Sequence, residues 1–174
     1  MPLPGAELLT GVSSHIVIVG AMGSGKTTLA RELARALRRP FFDSDQSIRE
    51  RTGRNGREIA EAEGVEVLHR LEADLLYEAL GRSAPVVVAA AASVIEDPAV
   101  RAALDDTYCV WVTADPEILA ERSARGDHRR AVGSTEHLGH RTPLFEQAAD
   151  LVVDTGNLSE SDSVERVLAA ITAP

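Results

Sequence analysis

Short apolar segments alternate along the chain with longer segments in which apolar residues recur at helical spacing. The short segments suit strands that are buried on both faces, and the predicted strands cover residues 15–20, 40–43, 85–90, 107–113 and 151–153. The longer segments carry apolar residues three and four positions apart, as helices do when one face is buried. The predicted helices cover residues 26–38, 44–51, 56–81, 98–104, 116–124, 143–149 and 163–171.

This alternation of strands and helices predicts a parallel sheet covered by helices on both faces, in one α/β domain. We expect residues 15–174 to form the domain. Residues 1–14 are rich in Pro, Gly and Ser and are expected to form a flexible leader. Residues 126–140 show no clean periodicity and hold much Arg, Gly and His, so we expect an irregular lid there.

The composition fits a globular domain and argues against several classes of partner. Apolar residues make up 44% of the 174 residues and charged residues 26%. The formal net charge of −9 disfavours binding to nucleic acid, and the longest apolar run, residues 85–92, is too short to cross a bilayer. A single cysteine, Cys109, fits a reducing compartment. We expect a cytoplasmic protein, and a monomer, that binds neither nucleic acid nor a membrane.

A phosphate-binding loop is the strongest chemical signal in the sequence. Residues 20–27 read GAMGSGKT, which matches G-x-x-x-x-G-K-[ST], and they lie between a predicted strand and a predicted helix. Glycines let the backbone approach a phosphate closely, and the loop N–H groups and the helix N-terminus attract its oxygens. The predicted nucleotide-binding residues of the loop are Gly23, Ser24, Gly25, Lys26, Thr27 and Thr28.

Two side chains of this loop have roles of their own. Lys26, the only lysine in the chain, is expected to reach the β- and γ-phosphates. The hydroxyl of Thr27 is expected to ligate magnesium. We therefore expect the chain to bind ATP together with Mg2+. The alternative is a glycine-rich turn that only joins a strand to a helix.

The remaining motifs distinguish between classes of nucleotide-binding protein. Switch GTPases read guanine with Asn-Lys-x-Asp, which cannot occur here because Lys26 already belongs to the loop. Motor and transporter ATPases carry a carboxylate directly after an apolar strand. The third predicted strand of this chain is followed by alanines and has no carboxylate at that place. Carboxylates follow the second predicted strand instead, at Asp43 and Asp45. Such strand ends line the ligand crevice of an open parallel sheet, so this arrangement indicates a small-molecule kinase.

The two aspartates admit two interpretations. In the functional one, Asp43 holds magnesium through water and Asp45 accepts a hydrogen bond from a substrate hydroxyl. In the structural one, Asp43 or Ser44 simply caps the helix that follows.

Further motifs continue along the chain. They are Ile48-Arg49-Glu50-Arg51-Thr52-Gly53 after the aspartates, the helix at residues 63–72, Arg141-Thr142-Pro143-Leu144-Phe145 and Val153-Asp154-Thr155. Together with the loop and the aspartates, these motifs resemble the shikimate kinase family, in the nucleoside-monophosphate-kinase-like group, from residue 15 to residue 171. The resemblance implies a P-loop NTPase fold: a five-stranded parallel sheet in the order 2-3-1-4-5, flanked by helices and carrying a lid.

The resemblance also implies roles for individual residues. Asp43 would help to organise magnesium, so that the expected metal-site residues are Thr27 and Asp43. Asp45 would contact the substrate hydroxyls as a base or an orienting group. Arg141 would bind the substrate carboxylate.

Further implied roles belong to arginines in and before the lid. Arg122 would pack on adenine, and a lid arginine, best matched by Arg129 with Arg130 as the neighbouring candidate, would reach the transferring phosphate. The alternative is a solvated helix end, where the dipole favours cations. The histidines nearby match no zinc-binding pattern and are expected at the surface; they are His128, His137 and His140.

The chain departs from the family at two places. The family carries Phe-Arg-x-x-Glu on the helix after the aspartates, and its arginine binds the substrate carboxylate, whereas this chain has His69 at that position. Arg70 is rotated about 100° around the helix and does not replace it. The family carries three glycines after the third strand where this chain has alanines 90–92, whose methyl groups would crowd the substrate and strain any position that needs a positive φ. The implied substrate-binding residues are Asp45, His69, Ala91, Ala92 and Arg141.

These departures predict a changed acceptor, because losing one charge-assisted contact to a carboxylate costs about 1.5–3 kcal/mol. We expect an ATP-dependent phosphotransferase that moves the γ-phosphate to a hydroxyl of a small polar metabolite and is not strict for shikimate. The predicted catalytic residues are Lys26, Asp45 and Arg129. Two alternatives stay open: shikimate kinase proper with a rebuilt pocket, and a non-catalytic protein that binds nucleotide as a switch or a structural ligand.

Overall fold

A five-stranded parallel sheet lies at the centre of the computed structural model, which describes residues 14–125 and 136–173. Its strands are β1 (Ile16–Gly20), β2 (Phe41–Asp43), β3 (Val87–Ala89), β4 (Tyr108–Thr113) and β5 (Leu151–Asp154). The strand order is β2-β3-β1-β4-β5, and every neighbouring pair is parallel. The predicted fold class and strand order are confirmed.

Helices pack on both faces of this sheet. Those within the described residues are α1 (Lys26–Leu37), α2 (Ser44–Thr52), α3 (Gly56–Glu63), α4 (Val65–Leu80), α5 (Pro98–Leu104), α6 (Pro116–Arg125), α7 (Glu136–Ala148) and α8 (Glu160–Thr172). A 3₁₀ helix, Ala92–Glu96, follows β3 and was not predicted. None of the helices in residues 14–125 and 136–173 has the length and apolarity that a membrane span requires.

The central strand explains why the chain needs helices on both sides. All five residues of β1 are buried, and alternate residues face opposite sides of the sheet. Ile16 and Ile18 pack in a core with residues of α1 and α8. Val17 and Val19 pack in a second core with residues of α4 and α7. A continuous apolar run is therefore what the sequence of a doubly covered strand must show.

Several sequence predictions concern residues outside the described part of the chain. The leader is one of them, because residues 1–13 are not described. The others are residues 126–135 of the predicted lid, with Arg129 and Arg130, and also His128. The roles expected of these residues stay predictions.

The helix predicted at residues 56–81 is in fact two helices, α3 and α4. Gly64 separates them with φ 101° and ψ 154°, and its N–H still donates to the carbonyl of Ala60. A positive φ is accessible to glycine at no steric cost. The apolar pattern continues across the break because Ile59 of α3 and Leu68 of α4 are buried in the same core. Periodicity alone could not reveal the change of direction.

The helix predicted at residues 143–149 begins earlier, at Glu136, so residues 136–140 of the expected irregular lid are helical. Pro143 lies inside this helix and cannot donate a backbone hydrogen bond. The hydroxyl of Thr142 donates to the carbonyl of Leu138 at 2.7 Å, which adds a side-chain bond to this irregular turn. Placing the helix start at the proline was therefore wrong, although proline is common at that position.

The parallel arrangement brings the carboxyl ends of three strands together. β1 ends at Gly20, β2 ends at Asp43, and β3 leads into alanines 90–92. The register pairs Phe41 with Val87 and Ile16 with Val87, so β2, β3 and β1 end side by side. Ligands of open α/β sheets bind at this edge.

We predict that Gly20→Ala destabilises the fold by about 3 kcal/mol. Gly20 has φ 150°, and a Cβ atom there would lie 2.3 Å from the carbonyl oxygen of Val112 on the adjacent strand. Denaturant unfolding measures the loss. Gly139→Ala is the matched control, since Gly139 lies on α7 with no atom within 4 Å of an added Cβ, and it should stabilise by about 0.5–1 kcal/mol. Equal stability of the two variants would contradict this account.

Candidate active site

The loop between β1 and α1 has the properties of an anion-binding site. Gly25 is the N-cap of α1; it provides no side-chain cap, and the first turn of the helix contains no acidic residue. The positive end of the helix dipole is therefore left uncompensated at this position. Within the described residues, the buried hydroxyl of Ser24 has no hydrogen-bond partner, and such a group generally requires one. A bound phosphate would satisfy both the helix end and the loop.

Lys26 lies over the same loop. Its ammonium group donates to the carbonyl oxygens of Gly20 and Ala21, each at 2.9 Å. These bonds fold the long side chain back along the loop, so that its charge lies next to the uncapped end of α1. The predicted nucleotide-binding residues thus form one positively polarised surface.

Thr27 and Asp43 meet at the foot of this loop. The hydroxyl of Thr27 donates to Oδ2 of Asp43 at 2.7 Å, while Oδ1 of Asp43 accepts from the backbone N–H of Gln46 at 3.0 Å. Asp43 therefore caps α2 with one oxygen and contacts the loop with the other. The structural and the functional interpretations of this aspartate are compatible. Hydroxyl and carboxylate oxygens are the ligands that Mg2+ takes in phosphate sites, so the donor set fits that ion.

Arg122 connects α6 to the loop that follows β5. Its guanidinium group donates to the hydroxyl and the carbonyl of Thr155, both at 3.0 Å. The hydroxyl of Thr155 in turn donates to the carbonyl of Ser24 at 2.7 Å. Arg122, Thr155 and Thr28 line a cavity of about 420 Å³ on this side of the phosphate-binding loop. Arg122, which the family resemblance assigns to adenine, therefore lines a cavity next to the phosphate-binding loop.

A second cavity, of about 290 Å³, lies at the carboxyl ends of β2 and β3; we call it the acceptor cavity. It brings together most of the residues that were singled out from the sequence: Gly23, Gly25, Lys26, Thr27, Thr28, Asp43, Asp45, His69, Ala91, Ala92 and Arg141. Asp45 is exposed and lies in the first turn of α2. The residues that line it without having been assigned to the site from the sequence include Arg49, Arg57, Glu72, Ser93 and His137.

The alanine run after β3 is accommodated without backbone strain. Within residues 14–125 and 136–173, Arg38 is the only residue other than glycine that has a positive φ. Ala91 has φ −63° and ψ 148°, an ordinary extended conformation for an L-residue. Ala90 is buried, whereas Ala91 and Ala92 are partly exposed and line the acceptor cavity. The alanines therefore add methyl groups to the cavity wall and require no unusual dihedral angles.

Glu72 is a buried carboxyl group in the wall of the acceptor cavity. It is 7% exposed, and it accepts a hydrogen bond from the hydroxyl of Ser93. The pKa of Glu72 is raised to about 7, mainly by burial and also by the negative charge of Asp45. The hydrogen bond from Ser93 and the positive charges of Arg141 and Lys26 lower the pKa and offset part of this rise. The sequence could have identified this residue, because Glu72 occupies the glutamate position of the Phe-Arg-x-x-Glu motif. His69 occupies the arginine position of the same motif.

Charged groups also surround Arg141 at the other end of this cavity. Nε of Arg141 donates to Oε1 of Glu96 at 3.0 Å, and Nδ1 of His137 lies 3.9 Å from the same oxygen. Burial opposes ionisation of Glu96, but the hydrogen bond and the charge of Arg141 outweigh it and lower the pKa of Glu96. The expectation that His137 is a plain surface residue was incomplete, because it lines the cavity while 43% of its side chain is exposed.

Comparisons with known proteins find relatives along almost the whole chain. The family model for shikimate kinase matches residues 22–172. A shikimate kinase of Dechloromonas aromatica is 37% identical over 162 residues, which cover 88% of this chain and 88% of that protein. The chain belongs to the shikimate kinase family. A second relative, the shikimate kinase of Symbiobacterium thermophilum, is 34% identical over 163 residues, covering 88% of this chain and 94% of that protein.

The fold of this family member also matches a solved structure of the family. The shikimate kinase from Acinetobacter baumannii in complex with shikimate superposes with a TM-score of 0.86 at 28% identity, covering 95% of this chain and 96% of that one. The family resemblance and the prediction of a small-molecule kinase are confirmed.

We predict that Glu72→Gln stabilises the protein at pH 8 but has little effect at pH 5. A carboxyl whose pKa rises on folding from 4.5 to about 7 binds its proton more tightly in the folded state. Its contribution to the free energy of unfolding is therefore lost as the pH rises between these values. Glutamine is neutral throughout and keeps an acceptor for the Ser93 hydroxyl. One pKa unit corresponds to about 1.4 kcal/mol. The difference in free energy of unfolding between Glu72→Gln and the wild type should therefore increase by about 2 kcal/mol from pH 5 to pH 8.

Urea unfolding of both proteins at pH 5 and pH 8 measures this difference, and Asp74→Asn, at an exposed position of α4, is the control. An advantage of Glu72→Gln that is the same at both pH values would mean that Glu72 does not titrate in this range.

Proposed function

We propose that this protein transfers the γ-phosphate of ATP to a hydroxyl of shikimate. The observation that carries the proposal is that one cavity is lined by the phosphate-binding loop, by Asp45 and by Arg141. Relatives that carry the name shikimate kinase match almost all of the chain. The expectation of an acceptor other than strictly shikimate gains no support from those relatives, which favour shikimate itself.

The donor side of the reaction relies on charge neutralisation. The loop N–H groups and Lys26 would bind the β- and γ-phosphates, and Arg122 would face the adenosine from its position beside Thr155. Thr27 and Asp43 would hold Mg2+, which when bound neutralises negative charge on the phosphate oxygens. Arg129, outside the described residues, is proposed to add positive charge to the transferring phosphoryl group.

The acceptor side of the reaction relies on positioning. Arg141 would bind the carboxylate of shikimate with the nitrogens that Glu96 does not occupy. Asp45 would accept a hydrogen bond from the attacking hydroxyl and orient it toward the γ-phosphate. Phosphoryl transfer requires little covalent chemistry from the protein, so holding the two substrates in line accounts for most of the rate.

The proposal includes the setting in which the protein acts. The net charge of −9 and the single cysteine support a cytoplasmic enzyme that acts on a small molecule and does not bind nucleic acid. We propose that it acts as a monomer.

We predict that Asp45→Asn lowers kcat for shikimate about 100-fold or more, because the amide orients the attacking hydroxyl less well and cannot accept its proton. Asp45 is exposed, and within the described residues none of the hydrogen bonds involves its side chain, so the variant should fold normally. A coupled assay of ADP release with shikimate measures kcat. Asp74→Asn, on an exposed position of α4 outside the cavity, is the matched control.

Thermal shifts separate binding from chemistry in the same proteins. Mg-ATP should raise the melting temperature of the wild type and of Asp45→Asn by mass action, and Lys26→Ala should abolish most of that rise. Transfer to gluconate or a cyclitol but not to shikimate would favour a different acceptor. Binding of Mg-ATP with no transfer to any acceptor would support the non-catalytic alternative.

A further inference from the structure

His69 lies at the point where the acceptor cavity meets the charged groups around Arg141. It is half-buried on α4, and it lines the cavity together with His137 and Arg141 of α7. Behind them, Glu96 of the 3₁₀ helix bonds to Nε of Arg141 and lies 3.9 Å from His137. Two elements distant in sequence thus place three basic side chains around one part of a small cavity.

We propose that His69 is a titratable acceptor-binding residue, which in its protonated form adds a second positive charge beside Arg141. The affinity for shikimate then increases as the pH falls below neutrality. This inference rests on the proposed function, since it assigns the carboxylate of shikimate to this part of the cavity. An arginine at the same position would stay charged at every physiological pH.

The surroundings of His69 favour its neutral form. Burial, followed by the charge of Arg141, lowers the pKa of His69. His137 acts in the same direction, while Glu96 and Glu66 partly oppose the effect. The carboxylate of a bound acceptor would add a negative charge beside the imidazole and favour its protonated form. By linkage, binding that raises the pKa of a group becomes tighter where that group is protonated.

Glu96 serves as a positioning residue in this cluster. It bonds to Arg141 but does not line the acceptor cavity, so it holds the guanidinium group by Nε from outside the cavity. This leaves the terminal nitrogens of Arg141 for the acceptor carboxylate. The negative charge of Glu96 also allows an imidazolium to form close to a guanidinium, which would otherwise repel it.

Glu72 is a second titratable group in the cavity wall, with a pKa of about 7. Its protonation removes a negative charge from the cavity, which would also favour an anionic acceptor at lower pH. Both residues therefore change affinity in the same direction, and only variants of His69 can separate them.

The test is the KM for shikimate at pH 6 and pH 8, at saturating Mg-ATP, for the wild type, His69→Gln and His69→Arg. For the wild type we expect KM to be about five- to tenfold lower at pH 6 than at pH 8. Uptake of one proton changes affinity at most about tenfold per pH unit, and we expect His69 to take up its proton over only part of this range. His69→Gln should bind weakly at both pH values. His69→Arg should bind as tightly at pH 8 as the wild type does at pH 6. His140→Gln, an exposed histidine of α7 outside the cavity, should behave as the wild type.

The Cε1–H resonance of His69, assigned from its absence in His69→Gln, provides a readout that is independent of turnover. Adding shikimate should raise the pKa of His69 measured by NMR. Glu96→Ala should raise the KM for shikimate about tenfold, and Glu96→Gln, which keeps an acceptor for Arg141, should recover part of that loss.

Different failures of this experiment have different meanings. A pH dependence of the wild-type size that persists in His69→Gln would assign the whole effect to Glu72 and overturn the proposal. Shikimate binding that is independent of pH in the wild type would also overturn it, while leaving the proposed function intact. Absence of shikimate binding at both pH values would overturn the proposed function as well.

Discussion

The hydrogen bond between the Thr27 hydroxyl and the Asp43 carboxylate joins the two sides of the active site. Thr27 belongs to the first turn of α1, and Asp43 ends β2, a strand that is separated from β1 by β3. The bond depends on the parallel pairing of these three strands, because that pairing ends them at one edge. The fold itself therefore holds the phosphate-binding loop and the carboxylate beside it in place. Such preorganisation is what catalysis by positioning requires.

The acceptor cavity departs from the family motif at a charged position. In the family motif an arginine and a glutamate lie three residues apart on one helix, where they can pair. Here His69 replaces the arginine, and buried Glu72 has Ser93 as its hydrogen-bond partner. An imidazole whose pKa is lowered and a carboxyl whose pKa is raised to about 7 thus stand where the family pattern has a permanently charged cation near a carboxylate. This exchange of residues is the basis of the proposed pH dependence of acceptor binding.

Predictions from the sequence failed where local patterns do not record the path of the backbone or the packing of a helix. The helical periodicity of residues 56–81 was correct, but Gly64 turns the chain between two helices that share one core. The alanines after β3 were expected to strain any position of positive φ, yet the chain passes through ordinary dihedral angles there. His137 looked like one of several surface histidines, because its distance from the acceptor cavity depends on how α7 packs.

The sequence by itself determined the strands, most of the helices, the order of the sheet through the family resemblance, and the phosphate-binding loop. These are local patterns, since a loop motif and an apolar period are each complete within a few residues. Only the tertiary structure decided that Glu96, His137 and Arg141 gather beside His69, and that Glu72 is buried against Ser93. Those contacts join residues 21 to 72 positions apart, and their pKa values follow from burial and neighbouring charges, which no local pattern records.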